Sequence, residues 1–298
     1  MKSEQVSVAM AVYNGEKYLS EQVQSVLSQT HGALEFLAID DASSDSSFDL
    51  LQRFASSDKR VKIWRNKKSL GPAANFLNVV SKAGGNYVCY CDQDDFWRKD
   101  KIEVLLRLMK ENENNRLVYS DLEVCDEMLR RLRASFWTQA RVCPEAGELD
   151  ERVFLKNIAP GCSMMFDREV QKAMSRFSGD APFMHDHLAW ILAASMGRVD
   201  FTSEKLVQYR QHAQNAIGAF RRPSASKRLR REHIIEQMDY FCQKMPGSGK
   251  FNMEKLRRFT AALENGGVRR PEFLPYFLYF RADRPQQKLL GVVEWLTA

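Results

Sequence analysis

The sequence predicts an α/β fold in which helices flank a mostly parallel sheet, followed by a helical C-terminal region. Short β-branched and aromatic runs alternate four times with segments of helical periodicity in the first 112 residues, which is typical of a parallel sheet covered by helices. Polar loops rich in Gly, Asp and Asn follow these runs. In such sheets ligands bind where strand ends meet helix starts, so we expect the functional residues in these loops.

Each element is predicted from its own segment. The expected strands are 6–12 ("VSVAMAV"), 34–39 ("LEFLAI"), 61–64 ("VKIW"), 87–91 ("YVCYC") and 116–121 ("RLVYSD"). The expected helices are 16–28, 44–56, 72–83, 98–112 and 186–196, and in the C-terminal region 225–244, 253–264 and 285–296. Strands of this length between helices of about 10–15 residues indicate βαβ units.

Composition limits the class of protein without selecting one. The chain has 298 residues, a formal net charge of +6 and a pI near 8.9, which permits a phosphate-bearing molecule, a nucleic acid or an anionic membrane as partner. We find no recognition helix, RNP-like pattern or zinc pattern, so we do not expect nucleic-acid binding.

The cysteines and the N-terminus bear on the compartment. The six cysteines are scattered, and Cys89 and Cys91 share one face of a predicted strand, so we expect reduced thiols rather than a zinc site. The N-terminus reaches polar residues too early for a signal peptide, and no apolar run approaches the roughly 18 residues of a membrane span. We expect a cytoplasmic protein, either soluble or peripheral to the membrane.

The segment "CDQDDFWRKDKI" (91–102) concentrates acidic residues at a strand end. Asp92 and Asp94 are two positions apart and can face one space, and Asp95 can reach it if the chain turns. Unpaired, they would repel one another, so we expect a cation, and carboxylates without a nearby cysteine suit Mg²⁺ or Mn²⁺. The alternative is that Asp94 or Asp95 caps the next helix.

An ordered set of motifs resembles the family 2 glycosyltransferases of the GT-A fold. The set comprises a strand ending in "YN", a helix ending in "SVLSQT", a strand ending in "DDASSD" and the later acidic "DQD". Such a set over roughly 95 residues is more specific than any single motif. "NKKSLGPAANF" and "YCDQDDFWRKDKI" are similar to the rhamnosyltransferase and O-antigen branch. After residue 125 the match thins to "APGCSMMF", "HDHLAW" and "YRQHAQNAIG".

The resemblance implies a Rossmann-like GT-A domain with three regions. Residues 1–125 would form the half that binds the nucleotide sugar, residues 126–218 the half that binds the acceptor, and residues 219–298 a helical appendage.

Donor-binding residues follow from the same motifs. Tyr13, Asn14 and Glu16 would line the nucleotide site, and Asp41 would accept from N3–H of a uracil or thymine base. The alternative for "DDASSD" is a turn that caps the following helix, which is the only role that we expect for Asp45.

The loop before the third helix carries two weaker candidates. Gly71 and Asn75 would also contact the donor, although Pro72 suits a helix start, so this turn can equally be structural. Trp97 can stack beside the site or pack in the core, and we favour the core.

Metal and phosphate contacts are implied for a second group of residues. Asp92 would contact ribose or metal, Asp94 would bind the Mg²⁺ or Mn²⁺ that bridges the diphosphate, and Gln93 would only space them. His212 would supply a late metal contact and Arg210 a phosphate contact, although surface positions are the alternative for both.

The resemblance also places the general base. Asp186 in "FMHDHLAW" matches the acid that takes the acceptor proton in an inverting transfer, although His185 stands where an acid is usual. The alternative is a helix-capping Asp flanked by two solvent-exposed histidines. Gly161 and Cys162 would let the backbone approach sugar or acceptor, or would only pack closely.

The sequence thus predicts an inverting, metal-dependent transfer of a sugar to a glycan hydroxyl of a surface polysaccharide. dTDP-rhamnose is the first expected donor, with a UDP-hexose as the alternative. A lipid-linked or oligosaccharide acceptor is expected, and the basic segment 221–231 can contact an anionic membrane. A nucleotidyltransferase would begin with a glycine-rich basic loop, which "VYNGEKYL" is not. A catalytically inactive relative remains the last alternative.

Overall fold

The computed structural model describes residues 4–213, 227–246, 250–264, 273 and 276. The strands are β1 (Val6–Val12), β2 (Leu34–Asp40), β3 (Val61–Arg65), β4 (Tyr87–Cys91), β5 (Phe96–Trp97), β6 (Asn115–Cys125), β7 (Arg131–Arg133), β8 (Gly147–Glu148), β9 (Met164–Asp167) and β10 (Arg198–Arg210). The helices are α1 (Glu16–Leu27), α2 (Ser47–Ser57), α3 (Pro72–Val80), α4 (Lys101–Lys110), α5 (Phe136–Ala140), α6 (Arg168–Met174), α7 (His185–Met196), α8 (Lys227–Lys244) and α9 (Met253–Glu264).

All these strands belong to one sheet with the order β3-β2-β1-β4-β9-β6-β10-β5, to which β7 and β8 add at β6 and β10. The pairs β3/β2, β2/β1, β1/β4 and β6/β10 are parallel. Strand β9 is antiparallel to both of its neighbours. The predicted helix-flanked, mostly parallel sheet is therefore confirmed, and one antiparallel strand joins its two parallel parts.

The apolar strands are explained by burial on both faces. Val8 and Met10 contribute to the core beneath α1, α2 and α4, whereas Ala9 contributes to the core beneath α3, α6 and α7. Neighbouring residues of a strand face opposite sides, and a parallel sheet covered on both sides therefore needs a nearly continuous apolar run.

The described part of the C-terminal region packs on the α7 side of the sheet. Met238, Phe241, Leu256 and Phe259 join the same core as α3, α6 and α7. The boundaries at 125 and 218 stay predictions, and one sheet runs through both proposed halves. The predicted helix at 285–296 lies outside the described residues, as do the side chains of 221–231.

The sequence missed the short elements. Strand β9 lies in the small-residue stretch "IAPGCSMMF", which has neither the length nor the alternation of a typical strand. The helix expected from residue 98 begins at Lys101, because the two-residue strand β5 pairs with β10 first. Asp100 is its N-cap, so the alternative that Asp94 or Asp95 caps this helix is wrong.

All six cysteines are free, as predicted. Cys89 and Cys91 are buried in the same core beneath α1 and α4, and burial raises the pKa of the Cys89 thiol to about 12. Trp97 is also buried in that core, which confirms the core interpretation of this side chain.

Candidate active site

Neighbouring parallel strands place the first and fourth loops side by side. Strands β1 and β4 are paired up to Met10 and Cys91, so Tyr13 and Asp92 leave the sheet at the same edge. Tyr13 is 52% exposed, whereas Asp92 and Asp94 are partly buried. An open aromatic side chain therefore lies beside a recessed acidic cluster.

Burial and mutual repulsion disfavour the ionised forms of two aspartates in the acidic cluster. The pKa of Asp92 is raised to about 7 by burial, and then by the charges of Asp94 and Asp186. Burial also raises the pKa of Asp95 well above its usual range, with further contributions from Asp94 and Asp92. A cation placed among these carboxylates would relieve both effects.

A buried lysine and a cysteine lie behind the cluster. Ligand atoms of Asp92, Asp95 and Cys162 lie within 4.8 Å of one another, so the expected absence of a nearby cysteine is wrong. Burial raises the pKa of the Cys162 thiol, which therefore stays protonated. Lys101 is fully buried, donates to the Cys162 carbonyl and lies 3.3 Å from the centroid of the Trp97 ring. Burial lowers its pKa.

The end of β10 fastens the acidic loop. The backbone N–H of Arg210 donates to Asp95 at 3.0 Å, and its Nε donates to the Asp94 carbonyl at 2.6 Å. Its other guanidinium nitrogens donate to the Glu127 carbonyl and to Glu21. Arg210 is 2% exposed, so it is a buried clamp rather than a surface residue. The phosphate contact stays a prediction that would require part of this clamp to open.

His212 lies two residues further along the chain and reaches the cluster. Its Nε2 is 2.8 Å from Oδ2 of Asp94, and its ring lies 4.9 Å from that of Tyr18. The surface alternative for His212 is therefore wrong. Asp94 and His212 thus form a carboxylate–imidazole pair, and the charge of Asp94 acts on the neighbouring Asp92. Carboxylate oxygens suit Mg²⁺ or Mn²⁺.

Asp186 lies in the first turn of α7 and not at its N-cap, which is Met184. Its Oδ1 accepts from the His187 backbone N–H at 2.7 Å. Burial raises the pKa of Asp186 to about 6, and its charge raises the pKa of Asp92. A carboxylate with a pKa near neutrality is suited to accept and release a proton.

The two flanking histidines are not exposed, so that part of the capping alternative is wrong. His185 is buried and stacks on Phe76 with ring centroids 3.7 Å apart, and burial lowers its pKa to about 3. His187 pairs with the Val153 carbonyl at 2.8 Å, and burial lowers its pKa to about 4. A side chain at Gly161 would lie 3.0 Å from Nε2 of His185, so close packing against α7 explains this glycine.

The YNG loop is joined to the DDASSD loop. Asn14 has a φ of 47°, a left-handed conformation in which Asn is enriched, and its side-chain oxygen accepts from the Ser44 backbone at 2.8 Å. Glu16 accepts from the Ser46 N–H at 2.9 Å, and Asp45 accepts from the Glu16 N–H at 3.1 Å. Glu16 at the start of α1 thus binds the N-terminus of α2, and Asp45 just before α2 binds the N-terminus of α1. Asp45 also bonds the Ser47 N–H at 3.0 Å, as expected of a cap.

Asp41 holds the loop that follows β3. Its carboxylate accepts from the backbone N–H groups of Leu70 and Gly71 at 2.9 Å each, from Ser69 Oγ at 2.8 Å and from Asn66 Nδ2 at 2.7 Å. A carboxylate has about four lone-pair positions, so a base N–H would have to displace one of these donors. The base contact of Asp41 stays a prediction.

Gly71 and Asn75 have visible structural roles. Gly71 is the N-cap of α3 with a φ of 82°, a conformation that favours glycine. Asn75 is buried, donates to the Ile39 carbonyl at 3.0 Å and accepts from Asn66 at 3.0 Å. These structural roles explain both residues without a bound nucleotide sugar, so their contacts with the nucleotide sugar stay predictions.

The structure therefore brings Tyr13, Asp92, Asp94, His212 and Asp186 to one edge of the sheet. Sequence reasoning missed Lys101, because nothing in "RKDKI" distinguishes a buried lysine from an exposed one. It also misjudged Gln93, which does more than separate two aspartates: its side chain bonds both the N–H and the carbonyl of Tyr13, at 2.9 and 3.0 Å.

Comparison with known proteins adds a family and a fold. Residues 7–174 match the model described as glycosyl transferase family 2. WfgD of Escherichia coli, named UDP-Glc:alpha-D-GlcNAc-diphosphoundecaprenol beta-1,3-glucosyltransferase, is 30% identical over 189 residues, which cover 62% of this chain and 68% of WfgD.

Two solved structures are similar in fold. TarS residues 1–349 of S. aureus, in complex with UDP-GlcNAc, align with a TM-score of 0.63 at 15% identity, over 93% of this chain and 80% of that one. Mannosyltransferase PcManGT from Pyrobaculum calidifontis, in complex with GDP-Man and Mn²⁺, aligns with a TM-score of 0.57 at 16% identity, over 100% of this chain and 76% of that one. At such identities the likeness shows the fold, and the predicted GT-A fold is confirmed.

Proposed function

The chain belongs to glycosyl transferase family 2, and from this premise we propose that it transfers one sugar from a nucleoside diphosphate to a glycan hydroxyl with inversion at the anomeric carbon. The observation that carries the proposal is the proximity of three carboxylates with different surroundings. Asp92 and Asp94 lie at the end of β4, and Asp186 at the start of α7 is close enough for its charge to raise the pKa of Asp92. This arrangement supplies a metal site and a base in one place.

The donor would bind across the ends of β1 and β4. The exposed ring of Tyr13 offers a face on which a pyrimidine base can stack. Asn14 and Glu16 hold the loop beneath it against the start of α2. We propose that Asp41 accepts from the base N3–H after one hydrogen-bonding group of the loop before α3 moves away and frees a lone pair of the Asp41 carboxylate.

Asp92, Asp94 and His212 would hold a divalent cation, Mg²⁺ or Mn²⁺. When bound, such an ion neutralises the negative charge that develops on the leaving diphosphate. The raised pKa of Asp92 supports the proposal, because burial first, and then the charges of Asp94 and Asp186, disfavour an uncompensated carboxylate there. Lys101 lies behind the cluster and so compensates part of that charge.

Asp186 would act as the general base. The acceptor hydroxyl attacks the anomeric carbon from the face opposite the diphosphate, the bond to the diphosphate oxygen breaks, and the hydroxyl proton passes to the Asp186 carboxylate. Its pKa of about 6 leaves it ionised at neutral pH and more basic than an ordinary aspartate. The carboxylate accepts hydrogen bonds from the His187 backbone N–H at 2.7 Å, from the Gly161 backbone and from the Asn157 side chain. These contacts hold the carboxylate in place, and the acceptor hydroxyl would have to share it with them or replace one of them.

Two donor classes follow from the site and the relatives. The proposed contact of Asp41 with N3–H admits uracil and thymine alike. The name of WfgD includes UDP-Glc as its donor, and TarS was solved with UDP-GlcNAc, which supports a UDP-hexose. dTDP-rhamnose is supported by the likeness of "NKKSLGPAANF" and "DQDDFWRKDKI" to the rhamnosyltransferase branch.

The acceptor would be a glycan linked to a lipid diphosphate, as the name of WfgD describes for that protein. This acceptor class supports a role in surface polysaccharide synthesis at the cytoplasmic membrane face. Among the helices of the described residues, none is long and apolar enough to cross a membrane. A membrane contact through 221–231 stays a prediction, because the side chains of this segment lie outside the described residues.

Calorimetric titration with UDP and dTDP, each with Mn²⁺ and with EDTA, tests donor binding. We expect one diphosphate to bind only when Mn²⁺ is present. Incubation with a UDP-hexose or dTDP-rhamnose and a lipid-diphosphate glycan, analysed by mass spectrometry, then tests transfer. Equal binding of both diphosphates in EDTA would contradict the metal site, and binding without any transfer would favour an inactive relative.

A further inference from the structure

Gln93 continues the pairing of β1 and β4 beyond the point where the backbone of β4 leaves it. The ladder between these strands ends at Met10 and Cys91. Three residues after Met10, the N–H of Tyr13 donates to Oε1 of Gln93 at 2.9 Å, and Nε2 of Gln93 donates to the Tyr13 carbonyl at 3.0 Å. A carboxamide has the same donor and acceptor as a peptide group, so the side chain replaces one rung of the sheet.

The contact is closely packed as well as hydrogen-bonded. A Cβ at Gly15 would lie 2.5 Å from Oε1 and 2.7 Å from Cδ of Gln93. The φ of Gly15 is −106°, which any residue adopts, so the backbone does not require glycine here. Glycine is instead required because a side chain at this position would overlap the Gln93 carboxamide.

This bridge connects two parts of the donor site that have different tasks. Tyr13 carries the exposed ring that would stack on the base, and Gln93 stands between Asp92 and Asp94, which would bind the metal and the diphosphate. Tyr13 is 52% exposed, so the position of its ring depends largely on its backbone. The backbone in turn is held by Gln93.

We propose that Gln93 is a positioning residue that sets the distance between the base platform and the diphosphate ligands, so that a nucleoside diphosphate meets a site already formed. The inference rests on the proposed function. If the proposal holds, Gln93 contributes to the affinity for the nucleoside part of the ligand and not to the affinity for the metal or the diphosphate alone.

Gln93→Met is the informative variant, because methionine fills a similar volume without the two hydrogen bonds. In the protein without nucleotide, we expect the Tyr13 amide hydrogen to exchange at least about tenfold faster than in the wild type. We expect Mn²⁺-dependent affinity for UDP or dTDP to fall about three- to tenfold, the effect of one or two net hydrogen bonds. Affinity for Mn²⁺-pyrophosphate should change less than about twofold.

Two further variants separate positioning from general damage. In a Tyr13→Ala background, Gln93→Met should no longer weaken the nucleoside diphosphate, because the ring that it positions is gone. Gly15→Ala should displace the carboxamide and reproduce the effects of Gln93→Met. Gln52→Met, an exposed position on α2, is the matched control and should change none of these quantities.

If the Tyr13 amide hydrogen exchanges as slowly in Gln93→Met as in the wild type, the proposed bridge is wrong, whichever ligand the protein binds. An unchanged affinity for the diphosphate that the wild type binds would overturn the positioning role, as would equal losses for Mn²⁺-pyrophosphate or a full loss in the Tyr13→Ala background. If the wild type binds neither UDP nor dTDP, the proposed function fails instead, and the exchange measurement still decides whether the bridge exists.

Discussion

Replacement of Asp186 by Asn should stabilise the protein while abolishing its activity. Burial raises the pKa of Asp186 to about 6, against about 3.9 in an unfolded chain. Ionising this carboxyl in the folded state therefore costs about 2 pKa units, or about 3 kcal/mol at 1.36 kcal/mol per unit. Asn keeps an oxygen that can accept from the His187 N–H and carries no charge, so the variant avoids this cost.

The sign of the effect follows from proton binding. Between about pH 4 and pH 6 the folded state holds a proton on Asp186 that the unfolded state has lost, so the stability of the wild type falls as pH rises through this window. The free energy of unfolding of Asp186→Asn should equal that of the wild type below about pH 4. The variant should gain up to about 3 kcal/mol above about pH 6, which for a chain of this length is a rise in Tm of about 5 °C.

Urea denaturation across this pH range measures the stability difference directly. Asp180→Asn is the control, because Asp180 is exposed and the Ser178 hydroxyl lowers its pKa, so this replacement should not stabilise. Transfer by Asp186→Asn should fall about 10²- to 10⁴-fold with donor affinity retained. Equal stability of variant and wild type at pH 8 would refute the pKa argument, and normal turnover would remove Asp186 from the role of base.

Three further outcomes are expected. Asp94→Asn should weaken Mn²⁺-dependent nucleotide binding at least about tenfold, measured by calorimetry, with little change in EDTA; an unchanged metal dependence would exclude Asp94 as a ligand. Lys101→Met should destabilise the protein by about 3–5 kcal/mol in urea denaturation, because it removes the buried cation that faces Asp95 and the Cys162 carbonyl; a loss below about 1 kcal/mol would contradict this. His185→Phe should keep the stacking on Phe76 and remove a ring whose pKa burial lowers to about 3. The stability that the wild type loses between about pH 7.5 and pH 5 should therefore shrink by about 2 kcal/mol in the variant. An unchanged pH dependence of stability would argue against a neutral buried His185.

Local sequence determined the first half of the fold. The strands at 6–12 and 87–91 have the bounds that the sequence predicts, because a run that is buried on both faces is apolar at almost every position. Helices α1 and α7 follow from periodicity to within a residue. The acidic cluster at the end of β4 was also readable, since carboxylates so close in sequence must share one space.

Tertiary structure alone decided how that cluster is held. His212 lies 118 positions from Asp94 in the chain, and only the pairing of β10 with β5 and β6 places it 2.8 Å away. Arg210 reads as a surface residue in "YRQH", yet packing turns it inward as a clamp. Long-range contacts of this kind leave no periodic signal in the sequence.

The same distinction separates residue type from residue role. The sequence supplied a lysine, a glutamine and two histidines whose polarity suggests solvent exposure or mere spacing. The fold buried Lys101 and His185 and turned Gln93 towards Tyr13. Burial shifts a pKa and a close approach orients a hydrogen bond, and both depend on which atoms surround a side chain, so only the folded chain determines them.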